Sequence, residues 1–209
     1  LAELDRAFKA EQRTGNRGLF FEDVEVGQEI PTIVRGPLTI GDMVAWNAAI
    51  GPSYKAGRWG HLDLQKSAHT AAYNKVTGFS VKYSQQHEDF HLAAQRGMPG
   101  PFDNGVMRFA WVAPLVTNWM GDAGFLKRIK TELRRFNTMG DTTWCKGKIV
   151  RKYQEDGYTL VDIDVWAENQ RGEKTVTNGA ATVMLPSKDI TTKMFRDGSG
   201  LDLGHAIYK

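Results

Sequence analysis

Hydrophobic and polar positions change rhythm once along this chain, near Gly124. Before it, apolar residues mostly recur at three- and four-residue spacing, as on helices. Leu1, Leu4 and Phe8 predict an amphipathic helix within residues 1–12, followed by a loop over 14–18. Ile30–Leu38 is the exception in this half, a run that predicts a strand. Thr39 is a helix N-cap candidate with Asp42 three residues on. Met43, Val44, Trp46 and Ile50 then share a face until Gly51-Pro52 stops the helix. A second helix is expected over Asp63–Thr77 through Ala68, Ala71, Ala72 and Val76, with Gly78 at its C-cap. Glu88–Ala94 predicts a short helix ended by Gly97. Asn104 caps a longer one, Val106–Trp119, which is apolar on every side and so expected to be buried.

Beyond Gly124 the period is two. Ile129, Thr131 and Leu133 oppose Lys130, Glu132 and Arg134. Trp144–Tyr153 predicts the next strand, and Tyr158–Trp166 sets Val161, Ile163 and Val165 against Asp162 and Asp164. Thr175–Leu185, after a turn at Gln170–Glu173 and before Pro186, is the last. Long strands joined by short turns make an antiparallel meander. A sheet wrapped around one apolar helix gives this order a single core, an α+β fold. The expected division is an N-terminal helical extension over 1–19, one domain over 20–186 and a polar C-terminal extension over 187–209.

Composition narrows the class. The chain has 209 residues, 41% hydrophobic and 24% charged, enough for a globular core without staples. The lone Cys145 excludes an internal disulfide framework and cysteine-rich zinc modules, and reads as packing inside a strand. A net charge of +3 is too small to imply nucleic acid. The longest apolar helical stretch, Phe109–Met120, contains Pro114 and falls short of a bilayer span, so no membrane partner is expected. The amphipathic N-terminus is not a secretion signal. The expectation is a soluble cytoplasmic protein, with a few residues missing ahead of Leu1 because no initiator Met is present.

Four constellations could carry chemistry. His87-Glu-Asp-Phe-His91 matches H-E-x-x-H, but no His lies between His91 and His205 and no Glu between Glu88 and Glu132 to complete a zinc site. A solvated, partly helical loop is the expected state, with no metal. Lys127, Arg128, Lys130, Arg134 and Arg135 are either a solvated face or a contact for the phosphates of a large cofactor or carrier. His61-Leu-Asp63 opens the expected second helix, where an Asp can simply cap or can tune a neighbouring general base. Asp103-Asn104-Gly105 precedes the buried helix. There the Gly105 N–H could polarise a carbonyl, or the turn could merely cap. Lys55-Ala-Gly-Arg-Trp-Gly60 lacks the spacing of a phosphate loop and reads as a loop tip.

Taken together, several segments resemble the MaoC-like dehydratases, the (R)-specific enoyl-CoA hydratase group of the hotdog fold. Phe21-Glu-Asp-Val-Glu-Val-Gly27 with Pro31 resembles the family's opening segment. Leu38-Thr-Ile-Gly-Asp42, Trp46 and Ala48-Ala-Ile-Gly51 resemble its first helix. Gly100-Pro-Phe-Asp-Asn-Gly105 resembles the turn before the central helix. Arg134-Arg-Phe136, Met139-Gly-Asp141, Asn169-Gln-Arg-Gly-Glu173 and Gly179-Ala-Ala-Thr-Val183 complete a pattern spread over residues 20–186. The family's hydration motif runs G-D-x-N-P-x-H, its Asp and His being the catalytic pair. Here the His-x-Asp end is matched by His61 and Asp63. Pro52 replaces the motif Asp, the interval is four residues longer, and Asn104 stands where a His usually precedes the Gly.

The resemblance implies hydration of, or water loss from, an acyl-CoA thioester, with His61 as base and the Gly105 amide facing the thioester oxygen. The acid partner is not carried over. Asp63 aligns with a non-catalytic position, and Asp103 is the candidate replacement. Asn104, Trp59, Arg128 and Lys130 are candidate substrate contacts, and no cofactor is implied beyond the acyl-CoA substrate itself. Trp46, Trp59, Trp111 and Phe102 are core, or line a pocket for a bulky acyl group. Three readings stay open. One is an active hydratase pairing as a homodimer. Another is a silent hotdog subunit in a heteromer, favoured by the lost motif Asp. The third is a thioesterase of the same fold.

Overall fold

The computed structural model describes residues 2–50 and 57–189. The described residues form two compact units: 2–35, 108–135 and 143–189 make the first, and 36–50, 57–107 and 136–142 the second.

The first unit is built on a five-stranded antiparallel sheet, β1 (Glu29–Arg35), β4 (Phe125–Leu133), β5 (Thr143–Glu155), β6 (Tyr158–Asn169) and β7 (Lys174–Met184), in the order β1-β5-β6-β7-β4. The three long meander strands anticipated from the alternation are there: β5 runs past both predicted ends, β6 runs on to Asn169, and β7 starts one residue early and stops one short, at Met184. The β5–β6 turn explains part of that length. Glu155 pairs with Tyr158, and the two residues between, Asp156 and Gly157, both take positive φ (53° and 83°). That is the turn geometry whose twist matches the flanking strands. The inward residues of the alternation, Ile149, Val161, Ile163, Val165 and Val183, are buried against Val112, Leu115, Val116 and Trp119. The latter four lie on α5 (Gly105–Met120), which starts in the second unit and runs into the first. The sequence predicts its burial on every side, but it buries one face and leaves Val106 and Thr117 exposed. Cys145 sits in this core. Burial pushes its thiol up to about 12, as befits a packing residue.

Both polar ends of that burial are handled locally. The 14–18 loop covers the end of α5: Thr14 N–H and Oγ1 donate to the Asn118 and Trp119 carbonyls at 2.8 and 2.7 Å, and Gly121 (φ 71°) turns the chain away. Near the start, buried Arg108 donates to the carbonyls of Arg135 and Thr175, at 2.5 and 3.1 Å, just past the end of β4 and at the beginning of β7.

In the second unit α2 (Ile40–Ala49) opens with the predicted cap. Thr39 Oγ1 accepts from Asp42 N–H at 3.1 Å, and the Asp42 carboxylate accepts from Thr39 N–H at 2.8 Å. Its buried face is Met43 and Asn47, whereas Ile50 is exposed. The expected stop at Gly51-Pro52 lies outside the described residues.

The second helix differs from expectation. Helix α3 (Gly57–Lys66) begins earlier, so residues 57–60 are helical, not a loop tip. It also ends eleven residues early. Ala68–Thr70 is a 3-10 turn, and the chain then forms a hairpin, β2 (Ala71–Asn74) with β3 (Phe79–Lys82). The cause is local. The Asn74 side-chain oxygen accepts from Val76 and Thr77 N–H, at 2.9 and 3.1 Å, and Gly78 takes φ 73°. An Asx turn thus competes successfully with the alanines' helix propensity. A 3-10 turn, Tyr83–His87, leads to α4 (Phe90–Gln95), capped by Asp89. No described helix is long and apolar enough to cross a membrane.

Close packing makes one position a sharp test of the β6–β7 register. A Cβ on Gly179 would come to 2.3 Å from the Val165 carbonyl oxygen, a backbone atom that cannot step aside. Gly179→Ala is expected to cost about 1–3 kcal/mol, read as a lower urea midpoint with an unchanged slope.

Candidate active site

The turn ahead of α5 is held by short, buried contacts within the second unit. Asp103 and Asn137 are 1% and 0% exposed. Asn137 Nδ2 donates to Asp103 Oδ2 at 2.7 Å, and Asp103 N–H donates to the Asn137 carbonyl at 2.9 Å. Phe102 forms a bridge with Thr138, and its ring packs at 5.1 Å on Phe136. These contacts fix where α5 begins.

Asn104 then caps the helix. Its Oδ1 accepts from Val106 N–H at 3.1 Å and its carbonyl accepts from Met107 N–H at 2.9 Å. The Gly105 N–H lies outside this cap, at the positive end of a sixteen-residue helix. A helix start of this kind presents backbone donors to developing negative charge.

Among the described residues one imidazole meets this turn, that of His87. Its Nδ1 is 2.9 Å from the Phe102 carbonyl oxygen, and its ring lies 4.4 Å from the Phe102 ring. A carbonyl carries no proton, so Nδ1 is the donor and Nε2 keeps its lone pair. Partial burial holds the imidazole below its ordinary pKa, outweighing the Phe102 bond, which acts upwards. The group at the turn is therefore a neutral base at neutral pH, with its tautomer set.

The other expected site residues divide. Asp103, Asn104 and Gly105 are at this turn. Asp103 is engaged as an anchor to Asn137. His61 and Asp63 lie on α3, where His61 is exposed and bonded to Gln65 at 3.0 Å and Asp63 pairs with Lys82 at 2.6 Å. Trp59, on the same helix, is 71% exposed. Arg128 and Lys130 are exposed on β4, in the first unit. Of the aromatics, Trp111 packs on the sheet core and Phe102 is part of the turn.

His87 belongs to the segment set aside as a failed metal motif. The spacing that suggests two imidazoles on one helical face is not used that way: His87 ends the 3-10 turn and His91 lies on α4, exposed. Its useful signal was different. Only the short α4 and the Met98-Pro-Gly-Pro101 turn separate His87 from residues 102–105, whereas a hairpin also intervenes between them and His61.

No protein-family model matches the chain, and no curated protein matches it significantly. Solved structures do. The R-hydratase PhaJ1 of Pseudomonas aeruginosa is 17% identical over 85% of this chain and 89% of its own, with a TM-score of 0.59. The MaoC-like dehydratase of Rhodospirillum rubrum is 16% identical over 80% and 95%, with a TM-score of 0.53. A chain of the ChsH1–ChsH2 complex of Mycobacterium tuberculosis is 18% identical over 78% and 98%, with a TM-score of 0.51. At these identities the likeness establishes the fold. The chain has the hotdog fold that these MaoC-like dehydratases and R-hydratases share, with the antiparallel sheet and central helix expected from sequence.

The state of His87 has a measurable consequence. With its folded pKa held below the unfolded value of about 6.5, the unfolded chain binds more protons between the two values. Its contribution is therefore full above pH ~6.5 and is lost as pH falls towards the folded pKa. Thermal melts from pH 8 to 5 are expected to show a smaller acid-side drop in His87→Gln than in the parent. Equal drops would show that burial does not perturb this group.

Proposed function

We propose that this chain is a hotdog hydratase or dehydratase that adds or removes water across the 2,3-bond of an acyl-CoA thioester, with His87 as general base. The observation that carries the reading is the pairing of a neutral imidazole, its Nε2 unprotonated, with the turn that begins α5. Hydration needs a group to take a proton from water as it adds at C3, a proton delivered at C2, and a donor for the charge on the thioester oxygen. His87 Nε2 supplies the first and can return that proton to C2. The Gly105 N–H supplies the last. Asp103 acts by fixing the turn. No further cofactor takes part. The protein works in the cytoplasm, as a dimer or with a second hotdog subunit. Fold alone does not carry this assignment, since one fold hosts many chemistries.

A second reading, a silent subunit that needs an active partner, has its own support. His87 bonds a backbone carbonyl and not a carboxylate. The hydration motif can also be laid on residues 86–91. His91 then takes the motif His, and buried Gln86 takes the place of the motif Asp. An amide neither donates a proton as an acid nor accepts one as a base near neutral pH.

Loss of enoyl-thioester absorbance with crotonyl-CoA and a longer enoyl-CoA separates these readings. The purified chain is expected to hydrate at least one of them. His87→Ala should lower kcat/KM by about 100-fold or more, while His61→Ala stays within about threefold of the parent. Full activity in His87→Ala with loss in His61→Ala or His91→Ala moves the base to that residue. An inert chain that gains activity with a co-encoded hotdog partner selects the silent subunit.

A further inference from the structure

The two residues after His87 are carboxylates, and each is gripped by a buried asparagine from a different element. Asn47 of α2 donates its Nδ2 to Glu88 Oε1. Asn74, the last residue of β2, donates its Nδ2 to Asp89 Oδ2 at 2.8 Å. Asn47 and Asn74 are only 7% and 2% exposed. Both ends of the Asn74 amide are engaged. While its nitrogen holds Asp89, its oxygen takes the Val76 and Thr77 N–H groups of the hairpin turn. Asp89 is equally committed, because its other oxygen accepts from His91 and Leu92 N–H at 2.8 and 3.0 Å and so caps α4.

Between these grips the backbone is tight. The Gln85 carbonyl accepts from both Glu88 and Asp89 N–H, at 3.0 and 2.8 Å, which encloses His87 in the turn. The hairpin is braced in its own right by the Lys82–Asp63 pair to α3 at 2.6 Å. A polar chain thus runs from α3 through the hairpin to the residues that carry the imidazole.

We propose that Asn47 and Asn74 are positioning residues, which clamp Glu88 and Asp89 and thereby set the angle at which His87 meets the Phe102 carbonyl. This rests on the reading of His87 as the base, and it gives the β2–β3 hairpin a task, that of outer support for the imidazole. Amides suit the task. They donate to carboxylates without adding a charge beside a group that has to stay neutral. The same logic governs supports around reactive side chains generally: a rotamer is held by partners that do not themselves react.

The test reads the imidazole directly, by 15N NMR of the histidine-labelled full chain, with His87 assigned from the signals lost in His87→Ala. In the parent, His87 is expected to be the Nδ1–H tautomer with a titration below that of an ordinary histidine. Asn74→Asp and Asn47→Asp replace a donor by an acceptor of the same shape. Each is expected to remove the fixed tautomer and raise the His87 titration towards the ordinary value. On an active substrate each should lower kcat at least tenfold with KM within threefold. Combining Asn74→Asp with Asp89→Asn, which restores a donor at the contact, should recover the parent titration. If a single variant does not fold by circular dichroism, Asn74→Ser is read in its place. A folded variant with an unchanged His87 tautomer and titration overturns the proposal. A shifted titration in a chain whose parent hydrates nothing keeps the clamp and removes the hydratase reading.

Discussion

A helix with apolar side chains on every face has to be wrapped, and its ends then have to be handed to polar partners. In this chain α5 sets both demands. One face of its 108–120 stretch, Val112, Leu115, Val116 and Trp119, is covered by the inward residues of the meander, and a sheet of short strands would not span it. Burial of side chains such as Leu115 and Val116 contributes roughly 1.5–3 kcal/mol each. The sum binds the helix firmly to the sheet. Its last carbonyls are taken by Thr14, and the Arg108 guanidinium ties its first turns to the ends of β4 and β7. The helix start itself is held within the second unit, by the contacts of Asp103 with Asn137.

That fixity gives the turn at 102–105 its chemical interest. Asp103 and Asn137 exchange a side-chain and a backbone bond while buried, so the turn is determined from both sides. A mobile imidazole would waste a fixed helix start. His87 is accordingly bound by its Nδ1 and packed at a tilt against the Phe102 ring, and the carboxylates that follow it are each held by an amide. Both halves of the site follow one rule, in which carboxylates are used up as structural acceptors and the potential base is kept neutral by partial burial.

The sheet was legible in the sequence because its inward residues alternate against charged ones, a period that only a half-buried strand explains. The capping box at Thr39 and Asp42 was legible for a similar reason, since a short polar side chain three residues before an acidic one meets two unpaired N–H groups. The hairpin was not. Ala71, Ala72 and Val76 fit a helix, and the residue that decides otherwise, Asn74, acts through a side-chain bond and a contact fifteen residues away at Asp89. His87 was hidden by its own neighbourhood. H-E-x-x-H suggests a metal, and once the metal fails the histidine looks idle. Its partner is a backbone carbonyl, which leaves no mark in a sequence.

The same carbonyl frames the question of activity. In an Asp–His pair the carboxylate both orients the imidazole and stabilises its charged form, so the base gains strength when it takes a proton. A carbonyl orients almost as well, because it fixes the tautomer, but it contributes a dipole and not a charge to the imidazolium. His87 is then a weaker proton acceptor than its counterpart in such a pair, and partial burial weakens it further. A hydratase can tolerate this if the helix start carries more of the work at the thioester oxygen. A subunit that leaves the proton transfer to a partner has no need of the missing carboxylate at all. The buried amide of Gln86 beside His87 is compatible with either outcome, and so are the two buried asparagines on separate elements that hold the carboxylates following the imidazole.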